Sequence, residues 1–309
     1  MVVRHTMHFV IRVLGSWPRL MGTYHTAQLP PIIHNSQIMD GALPKPLAHC
    51  YTLAKMWDSQ VAGSADLVQG IVLAEVQRLW REVIEPSLFA HAQTTRATWI
   101  GDRCEFASYR IVERCLTTFM QHESYDEADL LAAAQSLLIL LIVLFYGSPE
   151  GQELSVRAQA DLILQLWDVK KRLAATGLFL PEEADKSQHT TPPRWRDWAA
   201  ISAKRRTILA MHHLEWSWSL RHGYPILTCF ELAAVPAPAA GYLWRETDET
   251  TWSALYSDWL QHWKDGGVYK IGEFFNIEAE ARLDTRSERW LSEADEYGMM
   301  LMAESKIGL

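Results

Sequence analysis

Residues 252–263 read Trp-Ser-Ala-Leu-Tyr-Ser-Asp-Trp-Leu-Gln-His-Trp, and this stretch decides the fold class. Its large apolar side chains recur at steps of three and four residues, at Trp252, Leu255, Tyr256, Trp259, Leu260 and Trp263. That spacing places them on one face of an α-helix, and so wide an apolar face has to be buried. Thr247 or Asp248 can cap the helix at its start, and Gly266-Gly267 can end it.

The same helical period recurs through most of the chain, whereas long β-branched alternation is absent. We predict further helices from Ser64 to Pro86, within Ile100–Met120, over Leu130–Tyr146, Leu154–Leu173 and Arg194–Arg221, and from Ser287 to Met302. Proline and polar residues at 181–193 form the best internal boundary. We therefore expect an all-α, multi-helix globular domain with two packed halves, residues 1–180 and 194–309, joined by the connector 181–193.

Composition and charge exclude several classes of function. The 309 residues are 49% hydrophobic and 21% charged, with a net charge of −8. So acidic a chain repels phosphate backbones, and we expect no direct nucleic-acid binding by it. The four cysteines, at positions 50, 104, 115 and 229, contain no C-x-x-C pair, which disfavours a zinc site or a disulfide framework.

Two segments are candidates for a targeting or membrane element. Met1–Leu14 carries arginine and histidine among its apolar residues and lacks a small-residue cleavage site, so we expect no signal peptide. Leu130–Tyr146 is interrupted by Gln135 and Ser136, and the apolar run from Leu137 to Tyr146 is too short to cross a bilayer. We predict a buried core helix there and no membrane contact.

Fourteen tryptophans are an unusually high number, and several cluster between residues 195 and 263. Large rings of this kind fill the gaps between packed helices, which is the interpretation that we favour. The alternative is an aromatic pocket for a small molecule, in which Arg205, His212, Glu215 and Trp216 would be the inward-facing candidates.

No pattern of metal ligands or catalytic residues is apparent. His212 and His213 are adjacent, so they point in different directions, and no H-E-x-x-H pattern accompanies them. The acidic residues Asp126, Glu127 and Asp129 suit the start of a helix better than a magnesium cluster, because a second acidic ligand set is missing downstream. We expect no metal, no cofactor and no enzymatic activity.

Two basic runs, Lys170-Lys171-Arg172 and Lys204-Arg205-Arg206, have three interpretations. A solvated helix face is the one we favour, and a weak nuclear-import patch is the second. The third is burial of Arg205 or Arg206 against a carboxylate or against helix carbonyls, since arginine keeps its charge and offers a rigid fork of donors.

From Trp195 onward the sequence resembles the regulatory domain of fungal-specific transcription factors, which follows a zinc-cluster or C2H2 zinc-finger DNA-binding module. The resemblance rests on Trp195-x-x-Trp198, Arg205-Arg206-Thr207, Leu232-Ala-Ala-Val-Pro236-Ala-Pro238, Tyr242-Leu243-Trp244 and Trp252. Segments 28–34, 46–50, 129–133 and 293–298 extend it to about residues 17–302. We call Trp195, Trp198, Arg205, Arg206, Thr207, Pro236, Pro238, Leu243, Trp244 and Trp252 the signature set.

The resemblance implies a nuclear regulatory or interaction domain, with the cytoplasm as the other location. It would act by dimerisation, by contact with a protein partner or by sensing a small-molecule effector, in transcription of the kind that controls secondary metabolism. The zinc module expected before this region is absent, which implies a truncated product or a paralogue that lost DNA binding. The alternative function is a small-molecule-binding protein or repurposed enzyme with a Trp-lined helical pocket.

Overall fold

The computed structural model describes residues 2–23, 28–38, 41–59, 63–97, 125–148, 153–180, 183, 192–225, 230–277 and 282–305. Their α-helices are α1 Val2–Gly22, α2 Lys45–Asp58, α3 Ala65–Ala97, α4 Glu127–Tyr146, α5 Val156–Ala175, α6 Trp195–His222, α7 Gly241–Arg245, α8 Glu249–His262, α9 Thr285–Glu293 and α10 Glu296–Ser305. Short 3₁₀ helices occupy Asn35–Gln37, Phe230–Ala234 and Ile271–Asn276. Within these ranges the only β-type pairing is an isolated bridge between Pro236 and Lys270, so the predicted all-α fold is confirmed.

Helix α4 forms the centre of the fold. Asp126 caps it, because the Asp126 side chain accepts a hydrogen bond from the Asp129 backbone N–H at 2.8 Å, as predicted. Every residue from Leu130 to Phe145 is buried, and α1, α2, α3, α5 and α6 all pack against the helix. Its apolar composition therefore reflects a position surrounded by other helices.

The two polar residues inside α4 obtain their hydrogen bonds from the fold. Gln135 donates to the Ile32 carbonyl at 2.7 Å, and Ser136 donates to the Ala132 carbonyl one turn earlier. Of the described helices, α4 alone is long and apolar enough to cross a membrane, yet 89% of its most apolar window is buried inside the protein. The prediction of a core helix is confirmed.

Helix α6 joins the two predicted halves. It runs for 28 residues and ends at Gly223, whose φ of 71° lies in the left-handed region that favours glycine. Although α6 belongs to the second predicted half, it packs against α1, α4 and α5 of the first as well as against α8. The buried apolar residues form one core cluster spanning both ranges, and the division into halves stays a prediction.

Two predicted helix boundaries are wrong. Helix α3 continues past Pro86 to Ala97, because one proline removes a single backbone donor and a long helix can tolerate that loss. The helix predicted from Ser287 is broken into α9 and α10, since Ala294 adopts an extended backbone with ψ 143°. The helix predicted within 100–120 lies outside the described residues.

Helices α1 and α2 were not predicted. In α1 the buried residues Val10, Leu14, Trp17 and Met21 follow the helical period, so the signal was present in the sequence. It was weakened by intervening histidines and arginines and by Pro18, which lies inside the helix.

The proline-containing connector at 235–238 is held inside the protein by backbone hydrogen bonds. The Ala237 N–H donates to the Tyr269 carbonyl at 2.8 Å, and the Ile271 N–H donates to the Val235 carbonyl at 2.9 Å. Pro236 and Pro238 lack N–H groups, so burying this extended segment leaves fewer backbone donors to satisfy. The segment forms one wall of a cavity beside Arg205 and Arg206.

Candidate functional site

A guanidinium buried in the protein interior organises the most distinctive polar site. Arg206 is 2% exposed, and its Nη2 lies 2.7 Å from Oδ2 of Asp295, whose side chain is 5% exposed. Its Nη1 donates to the Pro31 carbonyl at 3.2 Å. The guanidinium carbon lies 4.0 Å from the ring centre of Trp244 and 5.0 Å from that of Tyr297. The charge is thus neutralised by one carboxylate and flanked by two aromatic faces.

The break between α9 and α10 positions Asp295. An uninterrupted helix would place residue 295 within the helical repeat, whereas the extended Ala294 makes Asp295 the residue before α10. There, Oδ1 of Asp295 accepts from the Gly298 N–H at 2.9 Å, which caps α10, while Oδ2 faces Arg206. Tyr297 adds a hydrogen bond from its hydroxyl to the Arg206 carbonyl at 2.6 Å. The start of α10 is therefore bound to α6 at this point.

His34 completes the aromatic surroundings of Arg206. Its ring centre lies 4.7 Å from that of Trp244, 5.7 Å from Trp195 and 6.1 Å from Trp198. Burial and the nearby positive charge of Arg206 lower the pKa of His34 to about 4. At neutral pH the imidazole is therefore uncharged, and its Nδ1 accepts a hydrogen bond from the Ser36 N–H.

The basic run Lys204-Arg205-Arg206 is buried, so the favoured prediction of a solvated helix face is wrong. Each cation has its own carboxylate: Lys204 pairs with Glu127, Arg205 with Glu183 and Arg206 with Asp295. The three carboxylates come from the first turn of α4, from the connector after α5 and from the start of α10. Consecutive residues on a helix point in different directions, which lets three neighbours pair with three separate segments.

The other basic run is mixed. Lys170 is buried, and its Nζ lies 2.7 Å from Oε2 of Glu215 on α6, so the prediction of a solvated face is wrong for Lys170. Lys171 is exposed and lies 4.3 Å from the Trp167 ring centre. Arg172 is half-buried, and desolvation lowers its pKa. Lys170 on α5 and Glu215 on α6 thus form an interior ion pair that links the two helices.

A small cavity lies beside Arg205 and Arg206. It encloses about 20 Å³, which is room for about one water molecule. Its walls are Trp198, Trp244, Tyr256, Trp259, residues 236–239 and Val268, with Glu183, Ser202 and the two arginines as polar groups. Of the predicted pocket residues, Arg205 lines this cavity, whereas His212, Glu215 and Trp216 lie on a different part of α6.

His212, Glu215 and Trp216 do not line the cavity, and Glu215 pairs instead with Lys170. Glu215 and Trp216 are each 2% exposed, and the adjacent His213 is fully enclosed, so desolvation lowers the His213 pKa well below its ordinary value. The structure therefore does not bring the four predicted pocket residues into one site.

The signature set, in contrast, converges. Trp198, Arg205, Arg206, Pro236, Pro238 and Trp244 line the same cavity. Trp195 contacts His34, Trp252 lies 5.1 Å from Trp198 between ring centres, Leu243 is fully buried, and Thr207 donates to the Ala203 carbonyl. The four tryptophans, two prolines and two arginines of the set, spread over nearly sixty positions, thus form one packed assembly, and Leu243 and Thr207 are buried. Every tryptophan between residues 195 and 263 is buried, which confirms the prediction that these rings fill the core.

Asp295, Tyr297, His34, Pro31 and Glu183 belong to this site but were not predicted for it. Asp295 had a local signal, because an aspartate three residues before Gly298 suits a helix cap. The pairing of Asp295 with Arg206, 89 residues earlier in the chain, has no local signal in the sequence. It depends on how the helices pack.

In the ranges that the structure describes, no three histidine, cysteine, aspartate or glutamate side chains are grouped to hold a metal ion. Searches against protein-family models, curated proteins and solved structures found no match to this chain.

Proposed function

We propose that this chain is a nuclear regulatory and interaction domain of the fungal-specific transcription factor type, which acts through a protein partner or a second copy of itself. The observation that carries the proposal is the convergence of the signature set around Arg205 and Arg206. Residues that are dispersed along the sequence but meet in one packed assembly act as a scaffold. In such a domain the surface, rather than a reactive centre, would carry the function.

The charges of the interior support this interpretation. The guanidinium groups of Arg205 and Arg206 face Glu183 and Asp295, so they are not offered to a phosphate backbone. The net charge of −8 opposes unaided DNA binding further. We therefore propose that DNA targeting is supplied by another module or by a partner.

The second candidate, a small-molecule-binding protein with a Trp-lined pocket, has weaker support. The cavity beside Arg205 and Arg206 has room for about one water molecule, whereas drug-sized ligands occupy roughly 300 Å³ or more. Its aromatic walls are packed against one another, for example Trp198 against Tyr256 with ring centres 6.1 Å apart. Filled space of this kind favours a scaffold over a preformed ligand pocket.

The proposal is tested by tethering. The full chain is fused to an unrelated DNA-binding module and expressed in fungal cells with a matching reporter. We expect transcription to rise or fall at least several-fold relative to the module alone. A variant with Arg206→Met should lose the effect, since it disrupts the scaffold. Arg221→Met, a change in a half-exposed arginine paired with Glu153, should keep it.

Two measurements on the purified chain complete the test. Fluorescence anisotropy with labelled duplex DNA at low salt should show no specific binding, and light scattering should show whether the chain forms dimers. A reporter response equal to that of the module alone would overturn the regulatory role. Tight, sequence-specific DNA binding would overturn the absence of a DNA-binding function.

A further inference from the structure

Four exposed apolar side chains lie on two neighbouring helices, α3 and α5. Leu67 on α3 and Leu164 on α5 are 65% and 62% exposed, more than any other large apolar side chain in the ranges that the structure describes. Ile71 on α3 and Val156 on α5 are 37% and 39% exposed. Solvated helix faces are usually polar, so large apolar groups grouped on the outer face of a helix pair indicate a contact site for a protein.

The start of α5 lies at the same end of the protein as the start of α3. The guanidinium carbon of Arg221 lies 6.0 Å from the ring centre of Tyr146, and its Nη2 lies 3.7 Å from Oε1 of Glu153. The segment just before α5 is therefore close to the end of α4. At that end, Gln69 in the second turn of α3 donates to the Ser148 hydroxyl at 3.2 Å. Helices α3 and α5 thus run side by side in the same direction.

One hydrogen bond fixes the level at which the two helices meet. Gln77 Nε2 donates to Oε1 of Gln165 at 3.2 Å, and α3 packs against α5. On the outer side of this contact, α3 exposes two small residues, Gly70 and Ala74, four positions apart. A methyl group added at Gly70 would meet no neighbour, so the space above it is open. Small residues allow the backbone of another helix to approach closely.

The exposed charges make this face complementary to itself. On α3, Asp66 lies about two turns before Ala74 and Arg81 about two turns after it. On α5, Arg157 and Asp168 lie on either side of the same level, with the signs reversed. A second copy related by a two-fold axis level with Ala74 would run antiparallel. Asp66 of one copy would then lie opposite Arg81 of the other, and Arg157 opposite Asp168.

The size of the face also suits a second copy of the chain. Helix α5 has 20 residues and is therefore about 30 Å long. Two helices packed about 10 Å apart present a face roughly 20 Å wide, which gives roughly 600 Å² per copy. Standard interfaces bury about 600–1,000 Å² per partner, so this face reaches the lower end of that range. An interface of this size corresponds to a reversible dimer.

We propose that the outer face of α3 and α5 is a dimerisation surface that packs antiparallel against the same face of a second copy. Leu67, Ile71 and Leu164 are removed from water in the dimer, and Gly70 and Ala74 lie where the two α3 helices approach most closely. The inference deepens the proposed function, on which it rests for the role of the dimer, by naming the surface that binds the second copy.

Sedimentation velocity of the full chain tests the surface. The 35.4 kDa chain should form a dimer with a Kd of about 10 µM or tighter. Leu67→Glu and Leu164→Glu each place a charge where it would be desolvated, so each should weaken the dimer at least about 50-fold. Met299→Glu is the matched control, because Met299 is 53% exposed but lies on α10. This control should leave the Kd unchanged.

Two charge reversals test the antiparallel arrangement. Asp66→Lys and Arg81→Glu each place like charges opposite one another in the dimer, so each variant alone should dimerise about fivefold or more weakly. A mixture of the two single variants restores opposite charges at both contacts of the heterodimer. It should therefore associate more tightly than either variant alone. Because both side chains are exposed, both variants should fold, which thermal unfolding checks.

Three results would overturn the dimerisation surface. They are a wild type that stays monomeric at about 100 µM, equal effects of Leu67→Glu and Met299→Glu, and a mixture of the charge variants that associates no better than its components. If a leucine variant does not fold, the charge variants still decide. A monomeric chain with a reporter response would refute this surface but not the proposed function. A dimer without a reporter response would refute the proposed function alone.

Discussion

Replacing Arg206 with methionine tests whether the buried guanidinium holds the C-terminal helices in place. Methionine keeps much of the length and the apolar contacts of the arginine stem. It removes the ion pair with Asp295, the hydrogen bond to the Pro31 carbonyl and the contact with the Trp244 ring. Asp295, with a side chain only 5% exposed, is then left without its counter-ion.

The expected loss of stability follows from that burial. Breaking a buried ion pair by removing one partner costs about 3–5 kcal/mol, since the remaining charge stays desolvated. The free energy of unfolding of a folded domain is about 5–15 kcal/mol, so the variant should retain only part of it. Arg221→Met removes a pair with atoms 3.7 Å apart and side chains 39% and 51% exposed. That control should cost less than about 1 kcal/mol.

Urea unfolding followed by tryptophan fluorescence measures both variants. A shift of the unfolding midpoint on the order of 1 M or more is expected for Arg206→Met at an unchanged slope. Adding Asp295→Asn to Arg206→Met should recover about 2 kcal/mol or more, because it removes the unpaired charge and keeps the oxygen that caps α10. The interpretation is refuted if Arg206→Met is no more destabilising than Arg221→Met, or if the second substitution recovers nothing.

Three further predictions concern local features of the fold. The pKa of His34 is lowered from 6.5 to about 4, so the unfolded state binds the proton first as the pH falls. The free energy of unfolding should therefore decrease by up to about 3 kcal/mol between about pH 6.5 and pH 4. His34→Gln should flatten that pH dependence, and an identical profile would contradict the assignment. Asp126→Ala should lower the free energy of unfolding by about 1 kcal/mol, whereas Asp126→Asn, which keeps the capping oxygen, should cost less. Gly266→Ala should destabilise by about 1 kcal/mol or more, since φ is 94° and the added methyl group would lie 2.9 Å from Arg286 Nη1. In contrast, Gly70→Ala in the interior of α3 meets no neighbour and should stabilise by about 0.5–1 kcal/mol. Urea midpoints distinguish the two glycine variants, and equal shifts would contradict both predictions.

Local patterns in the sequence determined the helical class, the start of α4 and the ends of α6. Asp126 and Gly223 act through backbone groups within a few residues, and the stripe from Trp252 to Trp263 depends on the helical repeat alone. Each of these signals depends only on residues within one turn or one helix. The break at Ala294 could not be predicted in this way, since the apolar spacing of residues 290–302 is compatible with one continuous helix.

The burial and pairing of charges were decided only by the tertiary structure. Lys204, Arg205 and Arg206 have the composition of a solvated face, and they are buried because Glu127, Glu183 and Asp295 arrive from three distant segments. An ion pair in the interior compensates desolvation only when its partner is positioned by the packing of other elements. The spacing of residues 252–263 was thus enough to predict a helix. Their contact with the site around Arg205 and Arg206 depended on the tertiary structure.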